Sequence, residues 1–149
     1  MKDGDFTILL AEDDENDAWL VKRALNSANI HNPIHVVSDG AEAIAYLRGD
    51  GQYANRLRFP LPKLLLLDIK MPRCHGLEVL EWVRGNEENG LNRLPIVIMS
   101  SSNLQRDVDR AYELGVNAYL VKPNAFQELV KTLRTTTEFW KDTAAHPII

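Results

Sequence analysis

The chain reads as an α/β domain built on a doubly wound parallel sheet, and three observations lead there. Apolar runs alternate with amphipathic stretches five times in 149 residues, which is the order of repeated β-α units. Three of those runs, Ile8-Leu9-Leu10-Ala11 and Leu64-Leu65-Leu66-Leu67 among them, are apolar without alternation, as strands covered on both faces are. Acids stand where two runs end: Glu12 and Asp13 after Ala11, Asp68 after Leu67. Ligands of open α/β sheets bind beyond the carboxyl ends of strands, where strand order reverses. If the first and third strands flank that point, the three acids meet.

The first strand is expected over residues 7–11, and Asp13-Asp14-Glu15 then opens a helix over 16–29, since acids favour a helix N-terminus. The second strand, 34–37, precedes a short helix over 41–48 that Gly49 stops. The third, 63–67, is followed by Asp68, a turn at Met71-Pro72 and a helix from Gly76 to Arg84. The fourth, 96–100, runs into Ser100-Ser101-Ser102 and a helix over 105–114, where Leu104, Val108, Ala111 and Tyr112 form one stripe. The fifth, 118–121, ends in Lys122-Pro123, and Phe126, Leu129, Val130 and Leu133 repeat the helical stripe. Both stripes read as core packing. Two connections exceed the usual few residues. Residues 49–62, with Tyr53, Arg56, Arg58 and Phe59, are either a docking surface or a tolerated insertion; residues 85–95 read as a solvent loop.

Composition narrows the function. The length suits one domain with one core. A net charge of −4, with Lys and Arg scattered among acids, argues against direct nucleic-acid binding, which calls for a basic patch. Acids in residues 1–5 stand where a secretory leader needs basic and apolar residues, and no apolar run reaches membrane-spanning length. A cytoplasmic protein is expected. Cys74 is the only cysteine, so neither an internal disulfide nor a multi-cysteine metal site is available.

Clustered carboxylates repel one another and either share protons or recruit a hard cation, commonly Mg²⁺. Asp68, ahead of a proline turn and a glycine, reads as an exposed carboxylate, although a helix-capping aspartate would look the same in isolation. Ser100 offers a hydroxyl at a strand terminus, again a common helix-cap residue. Lys122 is the natural counter-ion to the acids and to a phosphoryl group, and Pro123 raises the chance of a cis peptide that would aim it.

Glu12-Asp13, Asp68 with Met71-Pro72 and Gly76, Ser100, Tyr119 and Lys122-Pro123 occur in this order on strands one, three, four and five. Together they closely resemble the receiver domain of two-component response regulators, over about residues 6–138. The resemblance implies a five-stranded sheet of order 2-1-3-4-5. It implies that Asp68 accepts a phosphoryl group from a phosphohistidine of a sensor histidine kinase. It further implies Mg²⁺ held by Asp13 and Asp68, by Glu12 through water and by the backbone carbonyl of Lys70. Lys122 would pair with the phosphoryl group, while Ser100 and Tyr119 would be the switch hydroxyl and the switch aromatic. The catalysis would be the chain's own phosphorylation rather than turnover of a substrate. Asp14 adds a further acid, so the ligand pair could slip by one residue.

Only about eleven residues follow the fifth helix, so a non-covalent output is expected. The apolar tail Phe139, Trp140, Ile148 and Ile149 must fold back or pack on another chain. With the 49–62 segment, it resembles the stand-alone regulators paired with bacterial phytochrome histidine kinases, and a homodimer through the fourth helix, fifth strand and fifth helix is expected. Three rivals are weaker. A haloacid-dehalogenase-like phosphatase expects an acid where Lys70 stands; a Rossmann nucleotide binder expects a Gly-rich turn after the first strand; a pseudo-receiver would lack part of the acid and lysine set.

Overall fold

The computed structural model describes residues 6–149; the expectation about a leader, read from residues 1–5, lies outside the described residues. Strands β1 Ile8–Ala11, β2 Ile34–Val37, β3 Leu64–Leu67, β4 Ile96–Ser100 and β5 Ala118–Val121 form one parallel sheet in the order β2-β1-β3-β4-β5. The expected topology is present. Helices α1 Glu15–Ser27, α2 Gly40–Arg48, α3 Gly76–Arg84, α4 Gln105–Glu113 and α5 Phe126–Glu138 follow the strands in turn.

Side-chain alternation splits the core into two layers. Ile8, Leu10, Leu64, Leu66 and Val97 face α1 and α5, where Val21, Leu25, Val130 and Leu133 meet them. Leu9, Ala11, Leu65, Leu67 and Ile98 face the other way, onto Tyr46, Leu47, Val79, Leu80 and Val83 of α2 and α3. The three interior strands are buried along their whole length, while edge strands β2 and β5 are mostly half-buried. Apart from Ser100 at the end of β4, the interior runs are accordingly built of Leu, Ile, Val, Met and Ala, whereas the edge strands admit His35 and Tyr119.

Three expectations need correction. The α4 stripe is not core: Ala111 is buried, but Leu104 and Tyr112 are 46% and 51% exposed. Helix α4 lies at the sheet margin, where the edge strand offers little surface to cover. The 85–95 connection is no plain solvent loop, because Glu88–Arg93 forms a 3-10 turn that buries Leu91, with Leu94 buried beside it. The half-buried Arg84 guanidinium fastens it, donating to the carbonyls of Leu94 (2.8 Å), Asn92 (3.2 Å) and Gly115 (2.7 Å) and to Asn117 Oδ1 (2.9 Å). No cis peptide occurs among the described residues, so Lys122-Pro123 is trans, the ordinary preference. Lys122 is aimed instead by its backbone N–H, which donates to Ser100 O at 2.8 Å and extends the sheet ladder.

The 49–62 segment is built onto the domain. Tyr46, Tyr53 and Phe59 pack ring on ring at 4.9–6.0 Å. Arg56 donates to the carbonyls of Tyr46 (2.8 Å) and Leu47 (3.0 Å) at the end of α2, where helix carbonyls lack intrahelical partners; the Tyr46 carbonyl also takes the Gly49 N–H (3.2 Å). The tail folds back on its own domain: Trp140 packs on the α1–α5 layer, His146 lies 5.0 Å from the Phe6 ring, and Ile149 packs on the opposite layer. Arg93 holds Ile148 O at 2.7 Å, yet the Phe139 and Ile148 side chains stay exposed.

Candidate functional site

Register brings the acids together. β1 and β3 pair in parallel with Ala11 opposite Leu67, so the residues that follow, Glu12 and Asp68, leave the sheet side by side. The Asp68 N–H donates to Ala11 O (3.1 Å), and that of Glu12 to Val37 O (3.0 Å). Glu12 is buried, Asp68 half-buried and Asp13 exposed. One oxygen from each of the three lies within 4.8 Å of the others. Asp14 is not part of this group: its Oδ1 accepts from the N–H of Asn16 (2.8 Å) and Asp17 (3.0 Å) and caps α1. The acids that converge with Asp68 are thus Glu12 and Asp13.

Lys122 reaches into the cluster from the end of β5. Its Nζ lies 2.5 Å from Glu12 Oε1, 3.5 Å from Asp17 Oδ2 and 3.7 Å from Asp68 Oδ2. Burial alone would lower the lysine pKa, but the hydrogen bond to Glu12 and the charges of Asp68, Glu12 and Asp17 outweigh it and leave it raised. Burial, with repulsion from Asp68, pushes Glu12 up to about 7 against the pull of Lys122. Both partners thus shift upward, and the labile proton of the pair belongs to Glu12; Lys122 stays an ammonium.

Asp68 caps no helix, which corrects the alternative reading of that residue. The N-cap of α3 is His75, whose Nδ1 accepts from Leu77 N–H at 3.2 Å. The loop between is tight. Gly76 N–H donates to Ile69 O (2.7 Å), and a Cβ on Gly76 would stand 2.1 Å from Asp68 O. A Cβ on Gly40 would meet Cys74 O at 2.1 Å. Arg73, at φ 63°, pairs with the buried Asp39, the N-cap of α2. Lys70 lies in this same loop, exposed, two residues past Asp68.

Ser100 is fully buried at the end of β4, and its Oγ accepts from Ser102 N–H at 3.2 Å. That leaves its own hydroxyl hydrogen to donate. Tyr119 is half-buried, with its hydroxyl turned inward to Ser102 O at 2.9 Å. The structure thus gathers Glu12, Asp13, Asp68 and Lys122 directly, with Ser100 and Tyr119 joined beside them. Sequence reasoning missed Asp17 and Ser102. Asp17 lies three residues after the capping Asp14, and that helical spacing was the available signal.

The donor set is carboxylate oxygen alone, which suits a hard divalent cation and not a soft one. The buried Glu12 already has Lys122 on one oxygen and the Asp14 N–H at 3.3 Å on the other. Asp13 and Asp68 are open to direct coordination. The residues fit such an ion.

A profile of the response regulator receiver domain matches residues 8–134. Response regulator Rcp1 of Synechocystis is 36% identical over 140 residues, spanning 94% of this chain and 92% of its own. A structure of the Mn²⁺-bound form of Rcp1 superposes with a TM-score of 0.84, covering 95% and 99% of the two chains at 36% identity. The phosphorylated cyanobacterial phytochrome response regulator RcpA gives 0.86 at 36% identity, covering 95% and 98%. RPA3017, of red light signalling in R. palustris, gives 0.90 at 34% identity, covering 96% and 99%. With the profile spanning most of the chain, and the acid cluster and lysine at the strand ends where the motif order put them, the chain belongs to the response regulator receiver domain family.

Proposed function

We propose that this receiver takes a phosphoryl group from a sensor histidine kinase onto Asp68 and changes its α4-β5-α5 surface in response. One observation carries the reading: Glu12, Asp13 and Asp68 converge within 4.8 Å with the Lys122 ammonium 3.7 Å from Asp68. The Asp68 carboxylate attacks the phosphorus of a phosphohistidine; a carboxylate O–P bond forms, the N–P bond breaks, and the imidazole leaves with its electron pair. Asp13, Asp68, Glu12 and the Lys70 carbonyl would hold Mg²⁺, which when bound supplies charge neutralisation to the transferring oxygens. Lys122 stabilises the charge on the phosphoryl group, being already fixed beside Asp68. Ser100 donates its hydroxyl hydrogen to a phosphoryl oxygen, which favours the inward position that the Tyr119 hydroxyl takes on Ser102 O.

The descriptions of RcpA as a cyanobacterial phytochrome response regulator and of RPA3017 in red light signalling support a phytochrome-type kinase as the partner; the cytoplasm is the setting proposed with it. A homodimer through α4, β5, α5 and the tail is supported by Leu104, Tyr112, Val121 and Phe139, which leave apolar surface exposed there. Transfer from phosphorylated candidate kinases, with Asp68→Asn as control, tests the acceptor. Label that persists in Asp68→Asn refutes it, and failure of acetyl phosphate with Mg²⁺ to label the wild type favours a binding module that is never phosphorylated. Sedimentation at micromolar concentration, with and without a phosphoryl analogue, tests the dimer; a monomer in both refutes it.

A further inference from the structure

Ser102 spends every polar group on the switch. Its N–H donates to Ser100 Oγ (3.2 Å), its carbonyl accepts from the Tyr119 hydroxyl (2.9 Å), and its own hydroxyl donates to Asp107 Oδ2 in the first turn of α4 (2.6 Å). The Ser102 hydroxyl also accepts the Leu104 N–H at 3.3 Å. It is nearly buried, so water does not replace these partners cheaply. Helix α4 has few other anchors. Its N-cap, Leu104, provides no side-chain cap, and Ala111 is its one buried residue.

We propose that Ser102 and Asp107 form a latch that holds Tyr119 inward and ties α4 to the phosphorylation site. The proposal rests on the reading of Ser100 and Tyr119 as the switch pair. Ser102 is a positioning residue: it touches no phosphoryl group, and it fixes the carbonyl to which Tyr119 is fastened. In this arrangement Ser100 keeps a hydrogen free for a phosphoryl oxygen, so the latched state is the one a phosphoryl group selects. Breaking the latch leaves that state partly populated, and the apparent affinity for a phosphoryl mimic falls by the lost fraction.

The test uses the full chain and beryllofluoride with Mg²⁺ as the mimic, with binding titrated and the Tyr119 ring followed by NMR of labelled tyrosine. Ser102→Ala and Asp107→Ala are each expected to weaken binding about tenfold, the loss of one hydrogen bond to a charged acceptor, and to shift the Tyr119 resonance toward an exposed ring. The double variant should lose no more than either single one, because both break the same bond. Asp107→Asn keeps an acceptor oxygen and should stay within about twofold of wild type. Tyr119→Phe should also lose about tenfold, and it serves if an α4 variant fails to fold. Unchanged affinity in Ser102→Ala, or additive losses in the double variant, overturns the latch. Failure of acetyl phosphate to label wild-type Asp68 overturns the site reading itself, a distinct result from a labelled protein whose latch variants bind normally.

Discussion

Replacing Lys122 with Met removes one ammonium from among three carboxylates and tests whether that charge holds the site together. At an effective dielectric of about 20, a pair 3.7 Å apart such as Lys122 and Asp68 attracts by about 4.5 kcal/mol, and the 2.5 Å contact with Glu12 by more. Most of this is offset by the desolvation of the lysine, which Met does not suffer. What remains is the cost of a buried Glu12 with no counter-ion, about 3 kcal/mol for a broken buried pair. In a domain of this size that is a fall in Tm of about 6–12 °C. The loss depends on pH. Glu12 in the fold sits near 7, above its ordinary 4.5, so its contribution is fully present below 4.5 and is lost as pH rises through 7. Without Lys122 that pKa climbs further. At pH 5 Glu12 is protonated in both folded proteins and the deficit shrinks; at pH 8 it is at its largest. Urea unfolding at pH 5 and pH 8, in EDTA and then in Mg²⁺, reads this directly, and Mg²⁺ should restore more stability to the variant than to wild type. A variant as stable as wild type at pH 8 in EDTA refutes the electrostatic account of the site.

Arg84→Ala takes the guanidinium from the carbonyls of Leu94, Asn92 and Gly115, while Asn117 Oδ1 keeps the Ile96 N–H at 2.8 Å; chemical unfolding should show a loss of about 2 kcal/mol, discounted for water reaching the exposed side. Gly76→Ala drives a Cβ to 2.1 Å from Asp68 O, and since that neighbour is backbone, both Tm and the rate of Asp68 labelling by acetyl phosphate should fall. Burial would raise the Asp39 pKa, but the Arg73 hydrogen bond and the N–H of Glu42 hold it below its ordinary 3.8. A depressed carboxyl stabilises above its unfolded pKa and loses that contribution as pH falls through the folded one. Asp39→Asn should therefore be less stable than wild type at pH 7, with the difference shrinking below about pH 4 in acid-unfolding curves.

The sheet was legible because its interior strands are buried on both faces and their apolar runs have no other explanation. The acids were legible because each closes such a run, and a parallel register converts equal positions on β1 and β3 into neighbours in space. The α4 stripe misled for a physical reason. Helical periodicity says that one face is apolar, not that a sheet lies beneath it, and at the margin much of the face stays exposed. The pairings that escaped are long-range: Lys122 with Asp17 across 105 residues, Arg73 with Asp39 across 34, Arg84 with Gly115 across 31. No local pattern encodes them. His75 is the α3 cap, a role that Ser, Thr, Asp or Asn would have announced.

The two sides of the site are held by different forces, and this bears on where a signal can travel. On the β3-α3 side, contact is steric: the Gly76 backbone lies against Asp68 and Gly40 against Cys74, so closely that neither glycine leaves room for a methyl group. Close-packed backbone has no alternative arrangement of similar energy within a small displacement. On the β4-α4 side, the contacts are hydrogen bonds through Ser100, Ser102, Asp107 and Tyr119, beneath a helix with one buried residue and an exposed N-cap. Hydrogen bonds exchange partners at a net cost of about 1 kcal/mol each. A new charge at Asp68 therefore meets a wall toward α3 and a set of replaceable bonds toward α4, and the element it can bias is the α4-β5 surface.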